Sequence, residues 1–442
     1  MFLSRSAKSR AREKADLLIV NVNELITLAG NNQKPRAGKQ MLDLGIIRNG
    51  ALAVKEGKIA AVGKTPEISK IYKGETILSA TGKTVLPGLI DPHTHLVFAG
   101  SREDDFQLRV ESVSSNEVFH SGNVLRTVKE TRRASLEKLV ENGTETLNAM
   151  LEHGTTTVEA KSGYGLTTKD ELKILEAVNR LNQMHAVDLV PTFMGANAFT
   201  SEFANNPEDY VNLVVNEMVP RVAEKGLAEF CDACCEKGFF NLDQSRRVLS
   251  AAKNLGLKPK LHADWMSLQG GAELAASLGA VTADHLVFAS DDGIKAMANK
   301  GVIATLLPAV TFSLMTGRFA DARNMINQDV PLALATGFSP VCWNENLQLV
   351  IAFACHLMKL TPAEAITAVT INAAHALGRA NEIGSLEAGK KADIVILNAP
   401  NHKCLGYRYG VNLVDKVIKS GRIVVDKEAS RNDFRVMEEQ QK

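Results

Sequence analysis

The segment LPGLIDPHTHLVFAG, residues 86–100, has the pattern of a short buried strand that ends in polar side chains. Leu89 and Ile90 are apolar, and His93 and His95 follow with a spacing of two residues. Residues i and i+2 of a strand point to the same face, so the two imidazoles would lie side by side. Two neutral imidazoles in this arrangement can bind one divalent metal ion. The segment therefore predicts a metal-binding strand end; the alternative is a pair of surface histidines in a loop.

Downstream of His95, helical patterns of about ten to twenty residues alternate with short apolar strands. The helical pattern SLEKLVENGTETLNAMLEHG precedes the strand TTTVEA, for example, and SRRVLSAAKNLG precedes LKPKLHAD. About eight such repeats predict an α/β fold, a (β/α)8 TIM-type barrel over residues 86–382 with helices outside a parallel sheet. The chemistry of such a barrel lies at the carboxyl ends of its strands, where the histidines of this sequence fall.

Both ends of the chain have a strand-rich pattern instead. Residues 15–85 and 383–430 contain short β-rich segments between turn residues, including a hairpin pattern at Glu56-Gly57-Lys58. We expect them to form one small discontinuous β-sandwich domain. Residues 1–14 are basic and Ser-rich, as in a disordered tail or a short targeting peptide, and residues 431–442 form a polar tail.

The composition argues against several classes of partner. Hydrophobic residues make up 45% and charged residues 23% of the 442 residues, as in ordinary globular proteins. A net charge of +1 and only 5% aromatic residues argue against nucleic acid or a membrane surface as the main partner. No apolar run approaches the roughly 20 residues that span a bilayer. We therefore expect a small-molecule substrate.

The six cysteines are interpreted as reduced thiols. Three of them crowd into CDACCEKG, where C-x-x-C could indicate zinc, but no second pair lies at a useful distance. Reduced thiols on a buried strand, without a secretory segment, predict a cytoplasmic protein. The cysteines are Cys231, Cys234, Cys235, Cys342, Cys355 and Cys404.

Two further histidines follow apolar strands directly. His262 ends LKPKLHAD and His285 ends AVTADHLV, so both should point into the barrel mouth. His93, His95 and His262 make a plausible three-imidazole metal site with a position open for water, whose pKa the ion would lower toward about 7. His285 is then placed as a proton shuttle or a donor to a substrate oxygen. The alternative for any one of them is a hydrogen-bonded core histidine.

Other residues near the predicted mouth could contact a ligand. Arg102 could clamp a carboxylate with two parallel N–H bonds, or form a surface ion pair with a neighbouring acidic residue. Tyr164 lies in the Gly-flanked segment SGYG, and Gly195-Ala196-Asn197 ends another strand, so Asn197 could face the ligand. Lys161 could be a carbamylated bridging ligand of a two-metal site, but an ordinary loop lysine is the favoured interpretation.

The order of motifs PGLIDPHTH, SGYGL, FMGAN, HAD, DHL and KKADIVIL resembles the amidohydrolase superfamily over nearly the whole chain. More specific stretches, among them DPHTHLVFAGSRE and TTTVEAKSGYGL, resemble one branch that opens a five-membered cyclic amide. This branch converts 4-imidazolone-5-propanoate and water to N-formimidoyl-L-glutamate in histidine degradation. The resemblance implies a homodimer, one zinc or iron ion per chain on His93, His95 and His262, substrate contacts from Arg102 and Tyr164, and His285 beside the reacting carbonyl.

The sequence departs from the pattern of that branch at several positions of the mouth. HADW places Trp265 where the pattern has a catalytic glutamate, and GAN places Asn197 where it has a substrate-binding histidine. LATGFSP places Gly337 where an aspartate ligates the metal.

Two hypotheses follow from these departures. In the first, the protein is a metal-dependent hydrolase of this or another five-membered ring, and Asp264 supplies part of the missing base function. In the second, it is a catalytically silent relative that binds a small molecule or a partner.

Overall fold

A computed structural model describes residues 12–30, 33–111 and 123–428. The predicted polar tail, residues 431–442, and residues 1–11 of the predicted basic tail lie outside this range. Strand β1 begins at Glu13, so the last two residues of the predicted basic tail are strand residues instead. The other boundaries of the predicted domains are kept as our proposal.

Strands from both chain ends form one mixed sheet, which confirms the predicted β domain. Its strand order is β16-β15-β14-β5-β1-β2-β3, and β4 pairs with β1. An apolar core that includes Leu17, Val22, Leu52 and Ile394 packs against it. The strands are β1 (Glu13–Ile26), β2 (Ile46–Lys55), β3 (Lys58–Lys64), β4 (Tyr72–Ser79), β5 (Thr84–Pro87), β14 (Ile394–Leu397), β15 (Val414–Lys419) and β16 (Arg422–Asp426).

The predicted hairpin joins β2 to β3. Glu56 and Gly57 connect the strands with φ angles of 53° and 73°. Two successive residues with positive φ make the type I′ turn, whose twist matches that of an antiparallel pair. Strand β5 joins the two ends of the chain, because it pairs with β1 on one side and, antiparallel, with β14 on the other.

The middle of the chain forms an eight-stranded parallel sheet, which confirms the predicted barrel architecture. Its order is β13-β12-β11-β10-β9-β8-β7-β6. Main-chain bonds from Gly337 N to His93 O (3.2 Å) and from His95 N to Phe338 O (2.7 Å) join the first strand region to the last. The strands are β6 (Leu89–Asp91), β7 (Thr155–Lys161), β8 (Asp188–Ala196), β9 (Phe230–Cys235), β10 (Lys258–Ala263), β11 (Thr282–His285), β12 (Ile303–Leu306) and β13 (Leu332–Leu334).

Helices connect successive barrel strands, as the alternating pattern predicts. Ser135 and Thr167 begin two of them by accepting hydrogen bonds from the main-chain N–H groups of Lys138 and Asp170. In the described part of the chain, no helix is both long and apolar enough to cross a bilayer. The α-helices are Thr65–Ile71, Glu103–Val110, Asn123–Arg133, Leu136–Glu152, Thr168–Met184, Pro207–Leu213, Val219–Glu224, Leu242–Asn254, Gly271–Leu278, Asp291–Lys300, Pro308–Ser313, Ala322–Asn327, Leu347–Leu357, Pro362–Ala368, Ile371–Ala376 and Cys404–Tyr407. Short 3-10 segments lie at Gly38–Leu42 and Ser201–Phe203, and a π turn lies at Val214–Met218.

Candidate active site

A pocket at the carboxyl ends of the barrel strands collects most of the residues that the sequence singles out. It lies where β6, β10 and β11 end, so the strand pattern of the sequence places its histidines directly. The predicted residues that line it are His93, His95, His262, His285, Arg102, Tyr164, Asn197, Trp265 and Gly337. The structure brings these side chains together; their roles stay predictions.

The four histidines are close neighbours. Ring centroids are 4.5 Å apart for His93 and His262, 5.1 Å for His262 and His285, and 5.5 Å for His93 and His285. His95 lies slightly farther out, 6.1 Å from His93 and 6.0 Å from His262. Two sets of three described residues have possible ligand atoms within 4.8 Å of one another: His93, His262 and His285, and Asp232, His262 and Asp284. The set of three histidines thus contains His285 in place of the predicted His95.

Three of these rings are oriented by hydrogen bonds at Nδ1. His93 Nδ1 lies 2.6 Å from Asp284 Oδ2, and His262 Nδ1 lies 3.0 Å from Asp232 Oδ2. His95 Nδ1 lies 3.0 Å from the Ser162 carbonyl oxygen. A ring that donates from Nδ1 keeps its Nε2 lone pair for a ligand, the arrangement usual around metal-bound histidines.

Burial keeps the rings of His93, His95 and His285 neutral. It lowers the pKa of His95 to about 3 and the pKa values of His93 and His285 well below their usual range, helped by neighbouring cationic groups. Neutral imidazoles with a free Nε2 are good ligands for zinc and iron. These residues therefore fit a divalent ion.

Charged side chains that the sequence reading missed lie directly behind the histidines. Lys161 Nζ contacts Asp232 Oδ2 at 2.6 Å, Glu159 Oε2 at 3.0 Å and Asp284 Oδ2 at 3.4 Å, and none of these side chains is exposed. Lys260 Nζ contacts Glu159 Oε1 at 2.7 Å. The interpretation of Lys161 as a loop lysine is wrong, because it is the last residue of β7 and is fully buried. The sequence contains one indication that these charged residues face the barrel interior. Glu159 and Lys161 share a strand face at a spacing of two residues, as Lys260 and His262 do.

Arg102 and Tyr164 form the polar wall of the pocket. Arg102 is buried, and its Nε donates to Asp105 Oδ2, so it is not in a surface ion pair with Glu103 or Asp104. The Tyr164 ring lies 5.1 Å from that of His95. Burial raises the pKa of Tyr164 to about 12, so its hydroxyl keeps its proton and can donate to a ligand.

The loop that carries Tyr164 is held by one buried carboxylate. Glu171 accepts from the main-chain N–H groups of Gly163 (3.0 Å), Gly165 (2.8 Å) and Leu166 (2.8 Å). Asn197 adds a bond from Nδ2 to the Gly163 carbonyl oxygen at 2.8 Å. Tyr164 therefore sits on a fixed loop.

Trp265 packs on His285. The two rings are stacked, with centroids 4.4 Å apart and an interplanar angle of 22°. The indole thus supports one face of His285 at the position where the related pattern carries a glutamate.

Asp264 does not lie in the pocket wall, which corrects its assignment as a partial base. Its Oδ1 accepts from the main-chain N–H groups of Gln269 (2.8 Å), Gly270 (3.0 Å) and Gly271 (3.2 Å), and its Oδ2 from Ala272 (2.9 Å). The carboxylate satisfies the first N–H groups of the helix Gly271–Leu278 and is fully buried. Its contacts give it a structural role.

We expect Asp264→Ala to lower the free energy of unfolding by about 3–5 kcal/mol, because four N–H groups, two of them buried and two part-buried, lose an anionic acceptor. Urea denaturation followed by circular dichroism measures the change. Asp292→Ala, at an exposed position of the next helix, is the control. A stable Asp264→Ala protein that lost only turnover would return Asp264 to the catalytic groups.

Gly337 has no room for a side chain. Its φ is 63°, and a Cβ there would come into hard contact with Val310 Cγ2 and lie 2.8 Å from Leu307 Cδ2. The place of the expected carboxylate is thus occupied by apolar side chains. Of the described residues that line the pocket, none is an aspartate or glutamate.

Comparison with known proteins finds relatives over almost the full length. A sequence profile of the Amidohydrolase family matches residues 84–424. The imidazolonepropionase of Alkaliphilus metalliredigens (strain QYMF) is 50% identical over 416 residues, 93% of this chain and 98% of that protein. The imidazolonepropionase of Geobacillus kaustophilus (strain HTA426) is 50% identical over 419 residues, again 93% and 98% of the two chains.

Solved structures show the same fold. A zinc-bound adenosine deaminase from Xanthomonas campestris superposes with a TM-score of 0.70 at 21% identity, covering 97% of this chain and 99% of that one. Atrazine chlorohydrolase TrzN from Arthrobacter aurescens TC1, complexed with zinc, gives a TM-score of 0.72 at 18% identity over 93% and 96% of the chains. At such identities the likeness concerns the fold alone.

Proposed function

The chain belongs to the amidohydrolase family and stands among its imidazolonepropionases, and from this we propose that it hydrolyses 4-imidazolone-5-propanoate to N-formimidoyl-L-glutamate. The observation that carries the proposal is the buried histidine cluster beside Arg102, in which His93, His95 and His262 have Nδ1 engaged and, within the described residues, no hydrogen bond at Nε2. A pocket with fixed imidazoles and one guanidinium suits a small ring that carries a carboxylate arm.

His93, His95 and His262 would hold one zinc or iron ion. When bound, such an ion supplies Lewis acidity and lowers the pKa of a water molecule toward about 7. The buried carboxylates behind His93 and His262 keep both rings in the tautomer that presents Nε2 to the pocket.

Arg102 would bind the propionate arm. Its Nε is already bound to Asp105, so the remaining guanidinium N–H groups are available for a carboxylate in a bidentate arrangement. The protonated Tyr164 hydroxyl donates a second bond, and Asn197 borders the ring. These contacts fix the distance between the carboxylate arm and the ring amide.

His285 would carry the proton. Burial keeps it neutral, and within the described residues no hydrogen bond occupies its ring nitrogens. A ring nitrogen of His285 can take the proton of the attacking water and return it to the amide nitrogen that leaves. Trp265, stacked on the ring, holds it in place for both transfers.

Turnover of 4-imidazolone-5-propanoate by the purified protein, reconstituted with zinc or iron, tests the proposal. We expect hydrolysis, with about one ion per chain by elemental analysis, and loss of both on His262→Ala. His153→Ala is the matched control, since His153 precedes β7 at the opposite end of the barrel. A folded, metal-loaded protein without turnover would contradict the proposed reaction.

A second candidate function is binding without hydrolysis. Leu307 and Val310 fill the place beside Gly337, and the described pocket wall offers no carboxylate base. Such a pocket could bind an imidazole carboxylate and leave it intact. Calorimetric titration with N-formimidoyl-L-glutamate and with the intact ring compound distinguishes binding from hydrolysis. A protein that only binds would leave the ring compound unchanged after the titration.

We also propose a homodimer. Large apolar side chains are exposed beside the pocket mouth and along one neighbouring surface, among them Phe106, Phe312, Trp343 and Tyr409, which is 64% exposed. Soluble monomers rarely expose such clusters. Light scattering after size exclusion is expected to give twice the mass of one chain, 47.8 kDa. A monomer at micromolar concentration would contradict the proposal.

The cytoplasm is the proposed location. All six cysteines lie in the described part of the chain and are free, and four of them are buried in the barrel. Burial raises the pKa of Cys342 to about 12 and that of Cys355 to about 11, which keeps them as unreactive thiols.

A further inference from the structure

We infer that Lys161 is a positioning residue of the active site: its ammonium joins Asp232 to Asp284 and thereby fixes the rings of His262 and His93. The inference extends the proposed function, since it concerns the same histidines.

The geometry forms one continuous chain of contacts. Asp232 Oδ2 lies 2.6 Å from Lys161 Nζ and 3.0 Å from His262 Nδ1. Asp284 Oδ2 lies 3.4 Å from Lys161 Nζ and 2.6 Å from His93 Nδ1. The same carboxylate oxygen therefore serves the ammonium and an imidazole in both cases. The two rings are linked through a single nitrogen atom.

This linkage fixes ring orientation because its surroundings are dry. Lys161, Asp232 and Asp284 have no exposed side-chain surface. Asp232 Oδ1 also accepts from the main-chain N–H groups of Ala233 (2.7 Å) and His262 (3.2 Å), so the ammonium fixes only its Oδ2. The side chain of Asp284 accepts no main-chain hydrogen bond within the described residues, so Lys161 and His93 decide where its Oδ2 points. Without the ammonium, Asp232 and Asp284 would repel each other and lose the common point that sets both histidines.

The charge balance favours a cation in front of the network. With all five groups ionised, Glu159, Asp232 and Asp284 carry three negative charges and Lys161 and Lys260 two positive ones, which leaves one net negative charge behind the imidazoles. Burial acts against this charge separation, since it raises the pKa of Asp284 and lowers the pKa of Lys260. Burial opposes the ammonium, but Asp232, Glu159 and Asp284 outweigh it and raise the pKa of Lys161. Lys161 thus stays charged.

Lys260 provides a matched control. It is equally buried, lies on the inside of β10 and pairs with Glu159, the residue that Lys161 also contacts. Within the described residues it forms no ion pair with Asp232 or Asp284. Lys260→Met therefore removes a buried charge of the same kind without breaking the link between the histidines.

Zinc affinity, measured by competition with a chromophoric chelator, is the first readout. Lys161→Met is expected to weaken zinc binding by 10–100-fold, the usual effect of losing a residue that orients metal ligands. The zinc affinity of Lys260→Met is expected to stay within about threefold of that of the unmodified protein, which is a smaller change than the one expected for Lys161→Met.

The NMR signals of the histidine Nδ1–H groups are the second readout, in protein with 15N-labelled histidine. In Lys161→Met the hydrogen-bonded signals of His93 and His262 should shift or disappear. The signal of His95, whose partner is the Ser162 carbonyl, should remain. A merely structural role would move all three together or none.

Unchanged zinc affinity and unchanged His93 and His262 signals in folded Lys161→Met would overturn the inference. So would an equal loss of affinity in Lys260→Met. If Lys161→Met does not fold, Lys161→Gln, which keeps an N–H donor group but not the positive charge, carries the same comparison. Neither readout needs turnover. An inactive protein whose zinc binding depends on Lys161 would therefore contradict the proposed reaction and still support this inference.

Discussion

Gly337→Asp is expected to destabilise the protein by roughly 2–4 kcal/mol and to add no turnover. About 1 kcal/mol comes from placing a non-glycine residue at φ 63° and about 1–3 kcal/mol from overpacking against Val310 and Leu307. We therefore expect that an aspartate at this position, with or without Trp265→Glu, does not raise turnover. The neighbouring side chains have closed the space that it would need.

The Gly226→Asp variant separates the cost of a non-glycine residue at positive φ from the cost of overpacking. Gly226 has a φ of 60°, nearly that of Gly337, but nothing lies within 4 Å of the place of its Cβ. This control should lose only about 1 kcal/mol in urea denaturation. If Gly337→Asp is no less stable than Gly226→Asp, the loop with Leu307 and Val310 yields and the packing argument is wrong.

Gly337→Asp combined with Leu307→Ala and Val310→Ala tests the same space from the other side. The stability loss of this triple variant should be smaller than the sum of the separate losses by at least about 1 kcal/mol, because the truncated side chains make room for the carboxylate. Zinc affinity should rise relative to the Leu307→Ala, Val310→Ala protein. Additive losses would show that the three positions do not share one space.

His285→Ala is expected to reduce kcat by 10²–10⁴-fold, the usual contribution of a positioned acid–base group. The effect should be near the upper limit, because the described pocket wall offers no carboxylate to take over the proton. Turnover and metal content are measured on the same preparation, with His153→Ala as control.

The metal content of His285→Ala decides between two roles. An unchanged content with lost turnover supports proton transfer. His285 also belongs to the closest set of three imidazoles, so a parallel loss of metal would make it a ligand and contradict its role as a proton carrier.

The sequence predicted the barrel and most of the pocket because those signals are local. The apolar residues before His93 and His95 identify the end of β6, although the strand stops at Asp91 and both histidines lie just beyond it and not on a strand face. An apolar run directly before His262 or His285 likewise identifies a strand end. The hairpin at Glu56-Gly57 is local for the same reason.

What the sequence did not reveal depends on distant pairs. Lys161 contacts Asp232, 71 positions along the chain, and the spacing of Glu159 and Lys161 indicates a shared strand face but does not identify Asp232 as the partner. Asp264 follows the same strand as His262, but its φ of 48° turns the chain and its carboxylate folds back onto main-chain N–H groups. Sequence spacing alone did not show whether that carboxylate faces the pocket or the helix.

The two partners of strand β5 are synthesised at very different times. It lies between β1, which is made before it, and β14, which is made after the whole barrel. For roughly three hundred residues of translation one edge of β5 has no partner, and an open strand edge can pair with any other nascent chain. During the same period, the apolar face of the first four strands lacks the contacts that Ile394 and Ile418 later make with it. Slower translation or lower temperature during expression would leave more of this chain soluble, and a chain stopped before residue 394 would expose the edge permanently.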